Sequence, residues 1–214
     1  MKKTIALALP VAALLAACST GPSSSDYDKM TADVIKASFV ERGIAKLDRL
    51  DQDMANQACW SSAVSGKPLD DKMTKAIEDA EMKTVKWPAD GKFLGDWKEG
   101  ERIAQSGRGL TWSDTADGAN GGNCYNCHQI SKQEISFGTL GPSLYNYGKL
   151  RGVADPASPA SKAIVEYTWG KLWNARAYNA CSQMPRVGHK GILNEKQLKD
   201  VMALLLDPKS PVNQ

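Results

Sequence analysis

Cys124-Tyr125-Asn126-Cys127-His128 places two thiols and an imidazole within five consecutive residues. CxxCH is the form in which a chain holds a c-type heme: the cysteines add to the two vinyl groups of the porphyrin, and the adjoining histidine comes under the iron as its proximal ligand. Other chemistries use a CxxC pair. A structural zinc site calls for a second cysteine pair, and a thioredoxin-like redox pair belongs at the strand-to-helix junction of a βαβ unit. Neither context accompanies this pentapeptide. One covalent heme c is therefore expected, with Cys124 and Cys127 as its thioether partners and His128 as its proximal ligand.

A heme-ligating histidine binds through Nε2 while its other ring nitrogen is held by a hydrogen bond that sets the plane of the ring. The turn Gly141-Pro142-Ser143-Leu144 can offer a carbonyl for that purpose, and Pro142 brings no competing N–H. An ordinary Gly-Pro turn reads the same way. Two methionines, Met184 and Met202, follow the heme motif. Met202 falls in an apolar helical stripe, whereas Met184 precedes Pro185 in a polar loop where a thioether has less reason to be structural. Met184 is thus the expected distal ligand; His189, the other histidine of the chain, competes for the position, and an open iron is the third reading. His/Met ligation raises the potential and leaves little room for a diatomic ligand, which favours electron transfer over oxygen chemistry. Tyr145, Tyr147, Trp169 and Trp173 could wall the macrocycle or build an ordinary core. No paired-carboxylate, zinc-protease or dinucleotide signature is present, so no catalytic residue is assigned.

These residues need helices to position them. Trp97, Gly100, Ile103 and Ala104 form an apolar and small face on a helix ahead of the heme motif, and Gly100, a poor helix former, suggests a close helix crossing there. A glycine-rich loop from Gly107 to Gly122 then leads to Cys124. Asn194 and Gln197 form a capping box for a last helix whose Leu198, Val201, Met202 and Leu205 make an i, i+3, i+4, i+7 stripe, and Asp207-Pro208 ends it. Residues 26 to 92 read as a helical extension, with Val34, Ile35, Phe39, Ile44, Leu47 and Leu50 at loosely helical spacing and a short helix through Met73, Ile77 and Ala80. The expected fold is all-α.

At the N-terminus, Lys2 and Lys3 precede an apolar run from Ile5 to Ala16, the charge and length of a secretory signal over residues 1–17. Leu15-Ala16-Ala17-Cys18 also matches a bacterial lipobox, in which the cysteine carries lipid after cleavage; ordinary cleavage near Ala17 is the alternative. Residues 18–25 would then be a flexible tether. Lipid on Cys18 and heme on Cys124 and Cys127 would leave Cys59 and Cys181 for a disulfide in an oxidising compartment, unless one is a buried free thiol. Loss of the signal lowers the formal charge from +3 to +1, which gives no footing for nucleic-acid binding. The charge is unevenly spread, with 11 Lys and Arg against 6 Asp and Glu in residues 121–214 and 14 against 18 in residues 21–120. Such asymmetry could orient a redox partner.

Three stretches carry a more specific likeness. Gly122-Asn123-Cys124-Tyr125-Asn126-Cys127-His128-Gln129-Ile130, Gly138-Thr139-Leu140-Gly141-Pro142-Ser143-Leu144 and Cys181-Ser182-Gln183-Met184-Pro185-Arg186-Val187-Gly188 are followed by Gly191-Ile192-Leu193 and by an ending from Leu204 to Asn213. In this order and spacing they resemble the monoheme cytochrome SoxX family of the bacterial sulfur-oxidation system. The resemblance covers residues 93 to 214. It implies a class I-like cytochrome c fold there, preceded by an N-terminal helical extension, with His128 and Met184 as axial ligands. Members of that family pair with the cytochrome SoxA in the SoxXA L-cysteine S-thiosulfotransferase, which oxidatively couples thiosulfate to a cysteine of the SoxYZ carrier. The resemblance therefore implies a noncatalytic redox subunit: sulfur chemistry at SoxA, electrons received by this heme and passed to a downstream cytochrome, and a periplasmic setting. The lipobox at Cys18 adds a possible membrane tether to that picture. An independent monoheme electron carrier is the alternative.

Overall fold

A computed structural model describes residues 21–214; the expected export signal and the expected lipid-bearing Cys18 lie outside the described residues. The chain divides after Glu41 into two compact units. Seven α-helices and no β-strand occur among the described residues, so the all-α expectation holds. None of these helices is long and apolar enough to cross a membrane.

The first unit contains α1, Ser24–Ser38. It starts inside the stretch expected to be a tether because Ser23 and Asp26 form a reciprocal capping box that satisfies the first free amides. No residue of α1 is buried. The loose apolar spacing from Val34 to Leu50 does not carry one helix through: α1 stops at Ser38, and beyond it only a short 3-10 turn forms at Leu47–Leu50.

The second unit, residues 42–214, holds the other six helices. Helix α2, Met54–Ser65, is capped by the Asp53 carboxylate and ends at Gly66, whose φ of 66° is the left-handed conformation that glycine adopts without strain. Helix α3, Asp71–Met82, is capped by Asp70. Then come α4, Trp97–Gln105, the short α5, Tyr147–Leu150, α6, Lys162–Trp173, and the terminal α7, Glu195–Leu206.

Helices α4 and α7 make the most extensive helix pairing. A Cβ on Gly100 would lie 2.1 Å from the backbone oxygen of Asp200, so the glycine lets the two backbones meet. Asp200 is buried at this crossing, where its carboxylate accepts from the Asp96 amide (2.9 Å) and from the Lys196 ammonium (2.8 Å). The expected capping box of Asn194 and Gln197 starts α7. Its predicted stripe is buried, and so are Ala203, Leu204 and Leu206, because α5 and α6 cover further sides of the helix.

Residue 92 is not a break in the packing. The indole Nε1 of Trp169 on α6 donates to the Lys86 carbonyl (2.8 Å) and that of Trp173 to the Thr84 carbonyl (3.0 Å). These two of the four aromatic residues named above tie the segment after α3 to the main core, and they stack on each other. A smaller apolar cluster of Ala55, Ile77 and Ala180 joins α2 and α3 to the loop after α6.

Candidate functional site

Helix α4 delivers the chain into the CxxCH segment through backbone bonds. Gly122 donates to the Ile103 carbonyl (2.8 Å) and Asn123 to the Ser106 carbonyl (2.9 Å), so the glycine-rich loop returns to the end of the helix it left. Asn123 takes a left-handed φ of 50°, a conformation asparagine tolerates better than most residues, and the turn reverses the chain into a 3-10 helix at Cys124–Asn126. Cys127 and His128 both donate their amides to the Cys124 carbonyl. Two free, half-buried thiols and the imidazole are thereby wound onto one turn. Between them Tyr125 is buried, and its hydroxyl donates to Glu101 Oε1 on α4 (2.8 Å) and accepts from the Ser131 amide (3.2 Å). Burial and the Glu101 carboxylate raise the phenol above its usual range, so it stays a neutral anchor.

The chain after His128 folds back around it. Gly138 donates to the Tyr125 carbonyl, Gly141 to the Cys127 carbonyl and Leu144 to the Gln129 carbonyl, at 2.7 to 2.8 Å. Gly141 lies against the imidazole: a Cβ there would sit 2.1 Å from Cε1. His128 Nδ1 is 2.7 Å from the Pro142 carbonyl oxygen. A carbonyl only accepts, so Nδ1 carries a proton, and in the neutral ring Nε2 keeps its lone pair. The sequence reading of the Gly-Pro turn as an acceptor is met in the structure.

Burial pushes the Cys124 thiol up to about 12. A disulfide oxidoreductase keeps its attacking thiol in surroundings that lower its pKa, and this environment does the opposite. Among the described residues no group of three or more His, Cys, Asp or Glu is arranged to hold a metal ion. The donor set suits the remaining chemistry: two free thiols on one turn, a ring held by its Nδ1 with Nε2 left as a donor, and a glycine where any side chain would strike the ring.

The Cytochrome c family model matches residues 98–208, from the start of α4 to the end of α7. The chain belongs to the cytochrome c family. A cytochrome c carries covalently bound heme c and serves heme-based electron transfer, and the donor set around His128 fits that cofactor. The chain is also 32% identical, over the full length of both, to an uncharacterized lipoprotein of Aquifex aeolicus (strain VF5).

In this cytochrome, Met184 lies in the loop between α6 and α7 and packs, half-buried, on the same apolar core that Cys124 touches. His189, the competing ligand, sits in a charged environment. Burial and the Arg186 guanidinium hold its pKa below the ordinary histidine value, with Glu81 and Asp53 among the opposing charges. Cys59 and Cys181 form a disulfide across 122 residues, so neither is a free thiol. Sequence reading gave no role to the polar cluster beside it. Arg186 donates to Glu81 Oε1 (3.0 Å) and to Asp53, and Asn174 Nδ2 donates to Glu81 Oε2 (2.6 Å). The available signal was an arginine two residues from the expected distal ligand; its partners lie more than 100 residues away.

Proposed function

We propose that this cytochrome is the electron-accepting subunit of a SoxXA-type L-cysteine S-thiosulfotransferase. Cys124 and Cys127 hold one heme by thioether bonds, His128 is the proximal ligand through Nε2, and Met184 is the distal ligand. When bound, heme c supplies a one-electron iron couple. The chain's own residues would set its terms: the Pro142 carbonyl orients and enriches the imidazole, and the Met184 thioether, as a ligand, would raise the potential and exclude small ligands.

The hydrogen bond from His128 to Pro142 is the observation that carries the electron-transfer reading, because it prepares one ring nitrogen for a metal and fixes its direction. The ordered likeness of residues 122–130, 138–144, 181–188 and 204–213 to SoxX supports the finer assignment. Joining a carrier thiol to thiosulfate forms a sulfur–sulfur bond and releases a proton and an electron pair. Bond formation belongs to a SoxA-like partner subunit acting on a SoxYZ-like carrier; this subunit accepts the electrons singly and passes them to a downstream cytochrome. No residue of this chain is catalytic in that scheme. The location is the periplasm, with a lipid tether at Cys18 as in a lipoprotein, a reading supported by the lipobox and by the name of the Aquifex relative.

The test is isolation of the native complex, followed by visible spectroscopy on addition of thiosulfate and carrier. Reduction of this heme that requires both a copurified SoxA-like cytochrome and the carrier is expected. A monomer whose heme exchanges electrons equally with unrelated cytochromes and ignores thiosulfate would overturn the complex and leave an independent electron carrier.

A further inference from the structure

The loop that carries Met184 is fastened on both sides to the helices α2 and α3, which contribute none of the expected heme ligands. Before Met184, Ala180 is buried in the cluster with Ala55 and Ile77, its amide donates to the Glu78 carboxylate (3.2 Å), and Cys181 is bonded to Cys59 on α2. After it, the Arg186 side chain, only 8% exposed, bridges Glu81 on α3 and Asp53, the cap of α2. Glu81 is held in turn by Asn174 at the end of α6, and the Asp53 carboxylate also pairs with Arg176 (3.4 Å). Met184 thus sits between a covalent anchor three residues earlier and a buried ion pair two residues later.

A surface ion pair would contribute little, but this one is desolvated, and removing one partner of such a pair leaves an uncompensated buried charge. Its geometry is also directional, since the planar guanidinium reaches two carboxylates on different elements at once. A distal thioether is a weak ligand whose occupancy depends on how seldom its loop opens; an incoming ligand binds with an apparent affinity set by the open fraction.

We propose that residues 53–86 act as a strap that holds Met184 in place, with Arg186, Glu81 and Asp53 as positioning residues and the Cys59–Cys181 disulfide as the second fastening. The inference rests on Met184 being the distal ligand. It gives the segment before the family match a role in setting the properties of the heme, not only in enlarging the fold.

The test uses full-length heme-loaded protein in the ferric state, with Arg186→Gln, Glu81→Gln and Arg186→Lys compared with Asp200→Asn, which weakens the α4–α7 crossing but leaves the strap intact. The readouts are the far-red thioether-to-iron charge-transfer band and the affinity for added imidazole. Arg186→Gln and Glu81→Gln should weaken the band and tighten imidazole binding about tenfold or more. Arg186→Lys, which keeps the charge, should recover part of both, and Asp200→Asn should lower the melting temperature with neither changed. Should the Gln variants fail to mature, wild-type protein carrying Cys59→Ser with Cys181→Ser gives the same readouts from the other fastening. A wild-type band that persists with unaltered imidazole affinity in the strap variants overturns the strap and leaves Met184 standing; a wild-type protein with no such band overturns the Met184 assignment and the strap with it.

Discussion

His128 Nδ1 and the Pro142 carbonyl oxygen lie 2.7 Å apart across 14 residues, and the bond holds because Gly141 has no side chain to push the ring away. Gly141→Ala would place a methyl group 2.1 Å from Cε1, so either the ring or the turn must shift. The expected outcome is retained covalent heme with a displaced Soret maximum and, since the ring loses the carbonyl that makes it a stronger donor to ferric iron, a raised potential, read by spectroelectrochemistry. Wild-type spectra and potential in this variant would show that the contact does not govern the ring.

Met184→Ala tests the distal position. It should remove the far-red band, open the iron to imidazole and lower the potential, while heme still migrates with the protein on a denaturing gel. Cys124→Ala with Cys127→Ala should give the complementary result, a chain with no covalent heme. Unchanged visible spectra and redox titration for Met184→Ala would rule the ligand out.

At the α4–α7 crossing two effects of a glycine substitution compete. Gly100→Ala gains roughly 1 kcal/mol of helix propensity. The added Cβ, however, would lie 2.1 Å from a backbone oxygen of Asp200, which cannot rotate away, and overpacking of that kind costs about 1–3 kcal/mol or more. Net destabilisation is expected, visible as a lower midpoint in denaturant. A stability equal to or above wild type would mean that the helices separate at little cost.

His189 gives a pH dependence. Burial, and then the Arg186 charge, hold its folded pKa below the ordinary value of about 6.5, so the unfolded chain binds the proton more readily. Stability should therefore be full above the unfolded value and fall as the pH drops from there toward the lower folded value. His189→Gln should flatten that part of the profile of melting temperature against pH. A profile identical to wild type would assign the slope to other groups.

Acid should also loosen the strap, at a lower pH. Burial raises the Asp53 carboxyl, but the Asn56 amide and the Arg186 and Arg176 guanidinium groups together outweigh it and leave the group below its usual range. The stability this contributes is present above the ordinary carboxylate pKa and is lost as pH falls through the depressed folded value. Asp53→Asn should lower the neutral-pH melting temperature and remove part of the acid-induced fall; an acid limb as steep as that of the wild type would place its origin elsewhere.

What could be read in the amino-acid order was local. CxxCH, the Gly-Pro acceptor, the Asn194 and Gln197 capping box and the stripe of α7 each lie within one turn, one helix or one short excursion of chain, where spacing and bond geometry leave few alternatives. Gly100 announced a close crossing, although its partner Asp200 had to be found in space. The short 3-10 turn that replaces a longer helix around Leu47 could not be foreseen, since loose apolar spacing without a cap is a weak signal. The joining of Cys59 to Cys181 was legible by elimination among the five cysteines, but that of Arg186 to Glu81 and Asp53 was not, because contacts across more than 100 residues depend on how the chain packs and not on any period within it. The sequence alone thus determined the heme chemistry and the turn that holds the His128 ring, whereas tertiary packing decided that residues 53–86 close against the loop of Met184, since only folding brings carboxylates from two early elements to one late guanidinium.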